Sequence, residues 1–215
     1  CVVNYKLTVI DDASSDQTVH KMQHMLQQFA GPTRLLTTPS KGNGSSIGFN
    51  LDWARQHCKD LIYFVEDDYI HLPPAISSLT DNWQHFAHLL GQPVVLFPVD
   101  YPDRYILGMP QGLHTATQLY LGTDRHWRTI ASTTGTMLIH HDTLDKYWHL
   151  LSPFRYYGLD HAITEANTIN QVYQHVPCLS PIPTLAEHIM EGDHSSPFVD
   201  WKAVWQTITN KEPAS

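Results

Sequence analysis

Leu61-Ile62-Tyr63-Phe64-Val65-Glu66-Asp67-Asp68 is the stretch on which the reading of this chain turns. Five apolar residues in a row suit a short strand buried on both faces better than a helix. The run stops at three consecutive carboxylates, Glu66, Asp67 and Asp68, which repel one another at the edge of a low-dielectric core. A cation relieves that repulsion, and hard carboxylate oxygens suit Mg2+ or Mn2+. Without a cation the same triplet reads as a solvated turn that ends a strand.

Upstream, Val2 to Ile10 is rich in β-branched and aromatic residues and predicts a strand. It runs into the polar turn Asp11 to Asp16, where Ser15 and Asp16 are candidate helix N-caps. Val19, Met22, Met25, Leu26 and Phe29 then recur at helical spacing up to Gly31-Pro32. A short strand, Arg34 to Thr38, leads through a Gly-rich loop to an amphipathic helix at about Ile47 to Cys58. Three strands joined by two helices indicate parallel crossover units, hence an α/β doubly wound, mostly parallel sheet flanked by helices. Such sheets bind ligands at the carboxyl ends of their strands, where both Asp11-Asp12 and the acidic triplet fall. Lys41-Gly42-Asn43-Gly44 opens a helix and lets backbone approach a ligand closely, although it lacks the Walker ending.

Downstream the spacing predicts a helix over Leu72 to Leu90, a strand over Pro93 to Val99 and aromatic loops from Asp100 to Thr129. A strand over Thr133 to His140, helices over Asp142 to Leu150 and Leu159 to Asn170, and a polar stretch from His188 to Ser196 follow. Tyr101, Tyr105, Trp127 and Tyr156-Tyr157 are either platforms for stacking a sugar or plugs of the core, and residue type alone leaves both open. The chain therefore reads as one compact domain, with a nucleotide-binding half over 1–99 and an acceptor-side half over 100–215.

A net charge of -8, with 13 scattered Lys and Arg, argues against a nucleic-acid surface, which needs clustered cations. An acidic protein that binds a diphosphate needs a cation or backbone donors to do it. No run reaches the roughly 18 apolar residues of a membrane span. With no signal-peptide pattern either, the expected location is cytoplasmic, with a membrane-peripheral position as the alternative. Cys1, Cys58 and Cys178 have no metal-type spacing and read as free thiols.

Three segments in order carry a resemblance. Val9 to Thr18, with Asp11-Asp12-Ala13-Ser14-Ser15-Asp16-Gln17-Thr18, resembles the strand-and-turn signature of family 2 and related GT-A glycosyltransferases. Lys41 to Ala54 is similar to the next family segment, with Gly44, Asn50 and Ala54 in the expected places. Phe64 to Asp68 resembles the family's metal motif, in the Glu-Asp-Asp form of N-acetylglucosaminyltransferases.

The resemblance implies a Rossmann-like GT-A fold and transfer of a sugar, hexosyl or N-acetylhexosaminyl, from a UDP-sugar or similar donor with Mn2+ or Mg2+. Asp11, Asp12, Lys41, Gly42, Asn43, Glu66 and Asp67 are then expected around the donor, with Asp68 on the metal. His188 or His194 is expected to complete the metal shell, and Thr133-Thr134-Gly135 to lie under the donor sugar. Gly158-Leu159-Asp160-His161 resembles the element that carries the base of inverting members, with Asp160 as base and Glu165 as fallback. The chain departs from the family in one respect: the Asp-Asp turn comes at residue 11, so the further strand and helix that usually come before this strand-and-turn segment are expected to be missing. Two other readings share the crevice: a non-catalytic nucleotide-sugar-binding module, and a nucleotidyltransferase, although that class usually shows an early Gly-rich loop with Arg or Lys.

Overall fold

The computed structural model describes residues 5–39, 42–105, 117–133, 135–156, 165–189 and 195–209. β1 (Leu7–Asp11) runs into α1 (Asp16–Gln27), and the chain returns as β2 (Thr33–Thr37), parallel to β1. The Ser15 hydroxyl accepts from the Thr18 amide, satisfying one of the donors a helix start leaves open. Ala13 turns the corner at φ 59, a left-handed conformation that costs a residue with a Cβ roughly 1 kcal/mol. Ala13→Gly is therefore expected to stabilise the chain by up to about 1 kcal/mol, read from the denaturant midpoint. A lowered midpoint would count against strain at this turn.

α2 (Asn43–His57) crosses to β3 (Leu61–Phe64), and here the structure departs from the sequence reading. β3 pairs with neither β1 nor β2 but, antiparallel, with β8 (Met137–His140). The main sheet runs β3-β8-β5-β9-β7-β6, with β5 (Val95–Leu96), β6 (Leu119–Leu121), β7 (His126–Ile130) and β9 (Cys178–Ile182). Among the described residues β5–β9 is its one parallel pairing, so the sheet is mixed: β3, β5, β9 and β6 run one way, and β8 and β7 the other. The reason is connection length. β6 and β7 are joined by a tight turn, which permits only an antiparallel pair, and they lie inside the stretch that reads as loops. A separate ribbon pairs β4 (Tyr69–His71) antiparallel with β10 (Ala186–His188).

Side-chain alternation buries both faces of the main sheet. Met137 and Ile139 of β8, Val95 of β5 and Cys178 of β9 face one cluster, whereas Leu138, Leu96 and Leu179 face the other. α2 covers the first face with Leu51 and Ala54. It is joined there by α4 (His141–Lys146), α5 (Trp148–Leu151) and α6 (Ile169–Val172). α3 (Ala75–Leu90) covers the second with Leu79 and Phe86. Ile62 and Phe64 point to the first cluster and Leu61 and Tyr63 to the second, the two-sided burial expected of the apolar run. Each fully buried Leu or Phe contributes about 1.5–3 kcal/mol by leaving water.

Trp127 is fully buried, edge-on to Phe86 at 5.7 Å, and is a core residue rather than a sugar platform. The turn before it is pinned to α3. Asn82 donates to Asp124 Oδ1 at 2.8 Å and accepts from the Thr123 amide at 2.8 Å. A Cβ on Gly122 would lie 2.2 Å from Asn82 Oδ1 and 2.6 Å from the Trp127 ring. Neither neighbour has room to move, so Gly122→Ala is expected to cost about 2–4 kcal/mol in the thermal or denaturant midpoint. A cost under about 1 kcal/mol would mean that this corner is not rigid.

The expected helix over Leu159 to Asn170 begins outside the described residues, and Thr168, at φ -130 and ψ -91, separates it from α6. α7 (Trp201–Thr209) was not signalled by the sequence and buries none of its residues. Cys58 and Cys178 are free thiols, as expected. Among the described residues no helix is long and apolar enough to cross a membrane.

Candidate metal and donor site

The carboxyl end of β3 places the acidic triplet beside the ends of β5 and β10. The Ile189 amide donates to the Asp68 carbonyl at 2.7 Å, continuing the β4–β10 ribbon past His188. This register seats His188 opposite Tyr69, one residue beyond the triplet, and the two rings stack at 4.7 Å and 9°. Asp68 and His188 are 120 positions apart in sequence, and the ribbon brings Asp68 Oδ2 to 2.9 Å from His188 Nε2.

Two ligands on adjacent corners of an octahedral ion with bonds near 2.1 Å lie about 3.0 Å apart. The Asp68–His188 separation therefore suits a cis ligand pair as well as a hydrogen bond. Asp68 Oδ1 is buried and accepts no hydrogen bond, which leaves it available to an ion or a ligand donor. Tyr101 sets the histidine from behind, with its hydroxyl 3.3 Å from Nδ1. Burial, then the neighbouring Tyr69, pushes the Tyr101 phenol far up, so it stays protonated. When Nε2–H donates to Asp68, the Tyr101 hydroxyl donates to Nδ1. In the reverse tautomer Nδ1–H donates to Tyr101, and Nε2 offers its lone pair forward, as a metal ligand must.

Among the described residues no group of three His, Cys, Asp or Glu side chains comes together to hold an ion. Mg2+ and Mn2+ commonly take one or two carboxylates and complete their shell with water and phosphate oxygens. The donor set of Asp68 and His188 fits such an ion.

Glu66 forms a second wall with Thr136, the residue before β8. Its backbone N–H donates to Thr136 Oγ1 at 3.1 Å, and that hydroxyl donates to Glu66 Oε2 at 3.2 Å. Gly135 makes room for the carboxylate, since a Cβ there would lie 3.1 Å from Glu66 Cδ. Glu165 stands near this wall: burial, then the charge of Glu66, raises its carboxyl to about 7. Asp67 is exposed.

Asp11 and Asp12 occupy the end of β1, as expected, but their carboxylates are engaged by backbone. Asp11, buried, accepts from the Ser14 amide at 3.2 Å. Asp12 accepts from the Thr38 hydroxyl at 2.7 Å and from the Gly42 amide at 2.8 Å. These bonds fasten the β1 turn to the start of α2. Each oxygen of Asp12 accepts one such bond and keeps capacity for another donor. Gly42 holds φ 122 and ψ 150, a conformation that only glycine adopts without strain.

Lys41, Asp160, His194 and Tyr157 lie outside the described residues, and Asn43 is placed by its backbone as the first residue of α2. Of the two histidines proposed for the metal, His188 stands at Asp68. Two expected roles change. Thr133 bonds the Tyr173 hydroxyl at 2.6 Å in the interior instead of underlying a sugar. Tyr101 buttresses His188 rather than offering a stacking face. Sequence reasoning missed Tyr69 and Thr136. Tyr69 directly follows the triplet and carried a local signal, whereas Thr136 acquires its partner only through the β3–β8 pairing.

No family model matches the chain, and none of the curated proteins matches it either.

Proposed function

We propose that this protein is a divalent-metal-dependent glycosyltransferase that moves a sugar from a nucleoside diphosphate donor, a UDP-sugar first among them, to an acceptor hydroxyl. The observation that carries the reading is the convergence of Asp68 Oδ2 and His188 Nε2 at the carboxyl end of β3, beside a buried carboxylate oxygen with an open lone pair. A bound Mn2+ or Mg2+ would neutralise the diphosphate and stabilise the charge that develops as it leaves. Asp68 and His188 would hold that ion, and Tyr101 would keep the imidazole in the metal-binding tautomer. Glu66, fixed by Thr136, would form a second wall, and Asp67, exposed, would reach the donor sugar. Asp12 and Gly42 would shape the nucleoside end of the crevice, with Lys41 and Asn43 on either side of Gly42 in the chain.

An inverting transfer needs a base for the acceptor hydroxyl, best tuned near the working pH. Glu165, raised to about 7, meets that requirement, and we favour it over Asp160. The test is a donor screen with Mn2+ that follows release of the nucleoside diphosphate. Release with one donor, abolished by chelator and restored by Mn2+, supports the reading. Nucleotide-sugar binding without turnover, unaffected by Glu165→Gln or Asp160→Asn, would instead favour a non-catalytic binding module. Pyrophosphate release from a nucleoside triphosphate and a sugar phosphate would indicate a nucleotidyltransferase.

A further inference from the structure

Behind Tyr101 lies a set of buried charges that do not cancel. Arg128, on β7, is 4% exposed, and its Nε is 3.2 Å from Oδ1 of Asp100, which is 5% exposed. Arg104, in the turn Pro102–Tyr105, stands over the rings of Phe97 and Tyr101, 5.2 and 5.3 Å from their centroids. It donates to the Val99 carbonyl at 3.2 Å. Burial, then the charge of Arg128, holds its guanidinium below the usual range, with Asp100 opposing that shift. Among the described residues two cations thus share one carboxylate, leaving a net positive charge in a place where an uncompensated ion is costly.

The fork of Arg128 is also incompletely used, since its Nη2 is buried and makes no hydrogen bond. A guanidinium presents five donors in a plane that matches the two oxygens of a carboxylate or a phosphate. The Tyr105 ring lies against it. The Tyr105 ring lies 4.5 Å from the Arg128 guanidinium carbon, and its hydroxyl donates to Asp100 Oδ2. Tyr105 is itself 54% exposed, so its ring is the part of this cluster that reaches solvent.

We propose that Arg104 and Arg128 form a binding site for one oxyanion, a carboxylate or a phosphate monoester, which enters as the Tyr105 ring moves aside. With a carboxylate bound, two cations face two anions and the buried charge is balanced. The site is one ring away from the candidate metal centre: Tyr101 carries Arg104 on its ring and His188 on its hydroxyl. An anion held there belongs to the acceptor, which makes the acceptor an acidic molecule. That assignment rests on the transferase reading, whereas the oxyanion site itself does not.

Thermal midpoints in phosphate, in acetate and in chloride at equal ionic strength test the site. Phosphate stabilises many proteins through exclusion from their surface, so the decisive quantity is the difference from Arg104→Gln, which leaves the Arg128–Asp100 pair in place. At about ten times the dissociation constant, the wild type is expected to gain about 3–5 °C more than Arg104→Gln in at least one of the two oxyanions. The anion with the larger difference names the group. Equal shifts in both proteins, or no shift in either oxyanion, overturn the proposal.

Asp68→Ala is expected to keep the shift. A shift lost in Asp68→Ala and kept in Arg104→Gln would place the anion at the metal centre and overturn the second site. Should Arg104→Gln fail to fold, Tyr105→Ala decides. Uncovering the fork is expected to enlarge the phosphate shift, and an unchanged or smaller one sinks the proposal. If no donor is ever turned over while the Arg104-dependent shift persists, the site stands and only its role as an acceptor anchor falls.

Discussion

Asp68→Ala is expected to lower metal-dependent sugar transfer by about a thousandfold or more, because the electrostatic help of a metal ion is several kcal/mol and each 1.4 kcal/mol is tenfold. The substitution removes the carboxylate that converges on His188 at 2.9 Å and the buried oxygen beside it. Its structural cost is small by comparison. One hydrogen bond to His188 disappears, about 1 kcal/mol, and the Asp68 carbonyl still accepts from Ile189. Activity and fold should therefore separate. Nucleoside diphosphate release measures the first, the thermal midpoint the second, and Mn2+ titration by calorimetry the cause. An undiminished rate in a protein that still binds Mn2+ would remove Asp68 from the metal shell. His188→Gln is expected to weaken Mn2+ binding less, since it leaves the carboxylate in place.

The second large effect belongs to Glu165. As the proposed base it would contribute about 10²–10⁴-fold, and Glu165→Gln is expected to lose that much in kcat. In the wild type the rate is expected to rise with pH through a limb near 7, as the carboxyl ionises, and the limb should vanish in the variant.

Stability runs the other way. The folded chain holds this proton up to about 7, whereas the unfolded chain gives it up near 4.5. The carboxyl therefore contributes fully below the unfolded value, and its contribution is lost as pH rises through the folded value. Because the group is partly exposed and screened, the difference is held to about 2 kcal/mol or less. Glu165→Gln should thus be more stable than the wild type at pH 8 and gain little at pH 4. Lower activity together with higher stability at alkaline pH is the pattern of a strained functional group, and a purely structural carboxylate would not give it. A variant less stable at pH 8 would contradict the burial of Glu165 beside Glu66.

Local chemistry was legible in the sequence wherever a short segment fixes its own structure. The β1-α1-β2 unit was, because β-branched residues, the Ser15 cap and the Gly31-Pro32 stop act within a few residues of one another. The buried strand ending at Glu66 was legible from its unbroken apolar run. The free cysteines and the demand of Gly42 for a special backbone followed from residue type in the same way. The Asp11-Asp12 turn was legible as a position but not in its bonding. A carboxylate that accepts from Thr38 and Gly42 looks, in sequence, like one that awaits a nucleoside.

What the sequence determined by itself, then, is that an acidic triplet ends a strand buried on both faces of an α/β protein. Apolar runs and charge repulsion are properties of neighbouring residues. Only the tertiary structure decided that β3 pairs antiparallel with β8, that His188 meets Asp68 across 120 positions, and that Glu66 faces Thr136 and Glu165. Those pairings depend on which strand edges meet once both faces of the sheet are covered. Fifteen histidines of similar local context give no sign of which one that packing will choose. The β4–β10 register, set by backbone bonds between distant segments, chose His188.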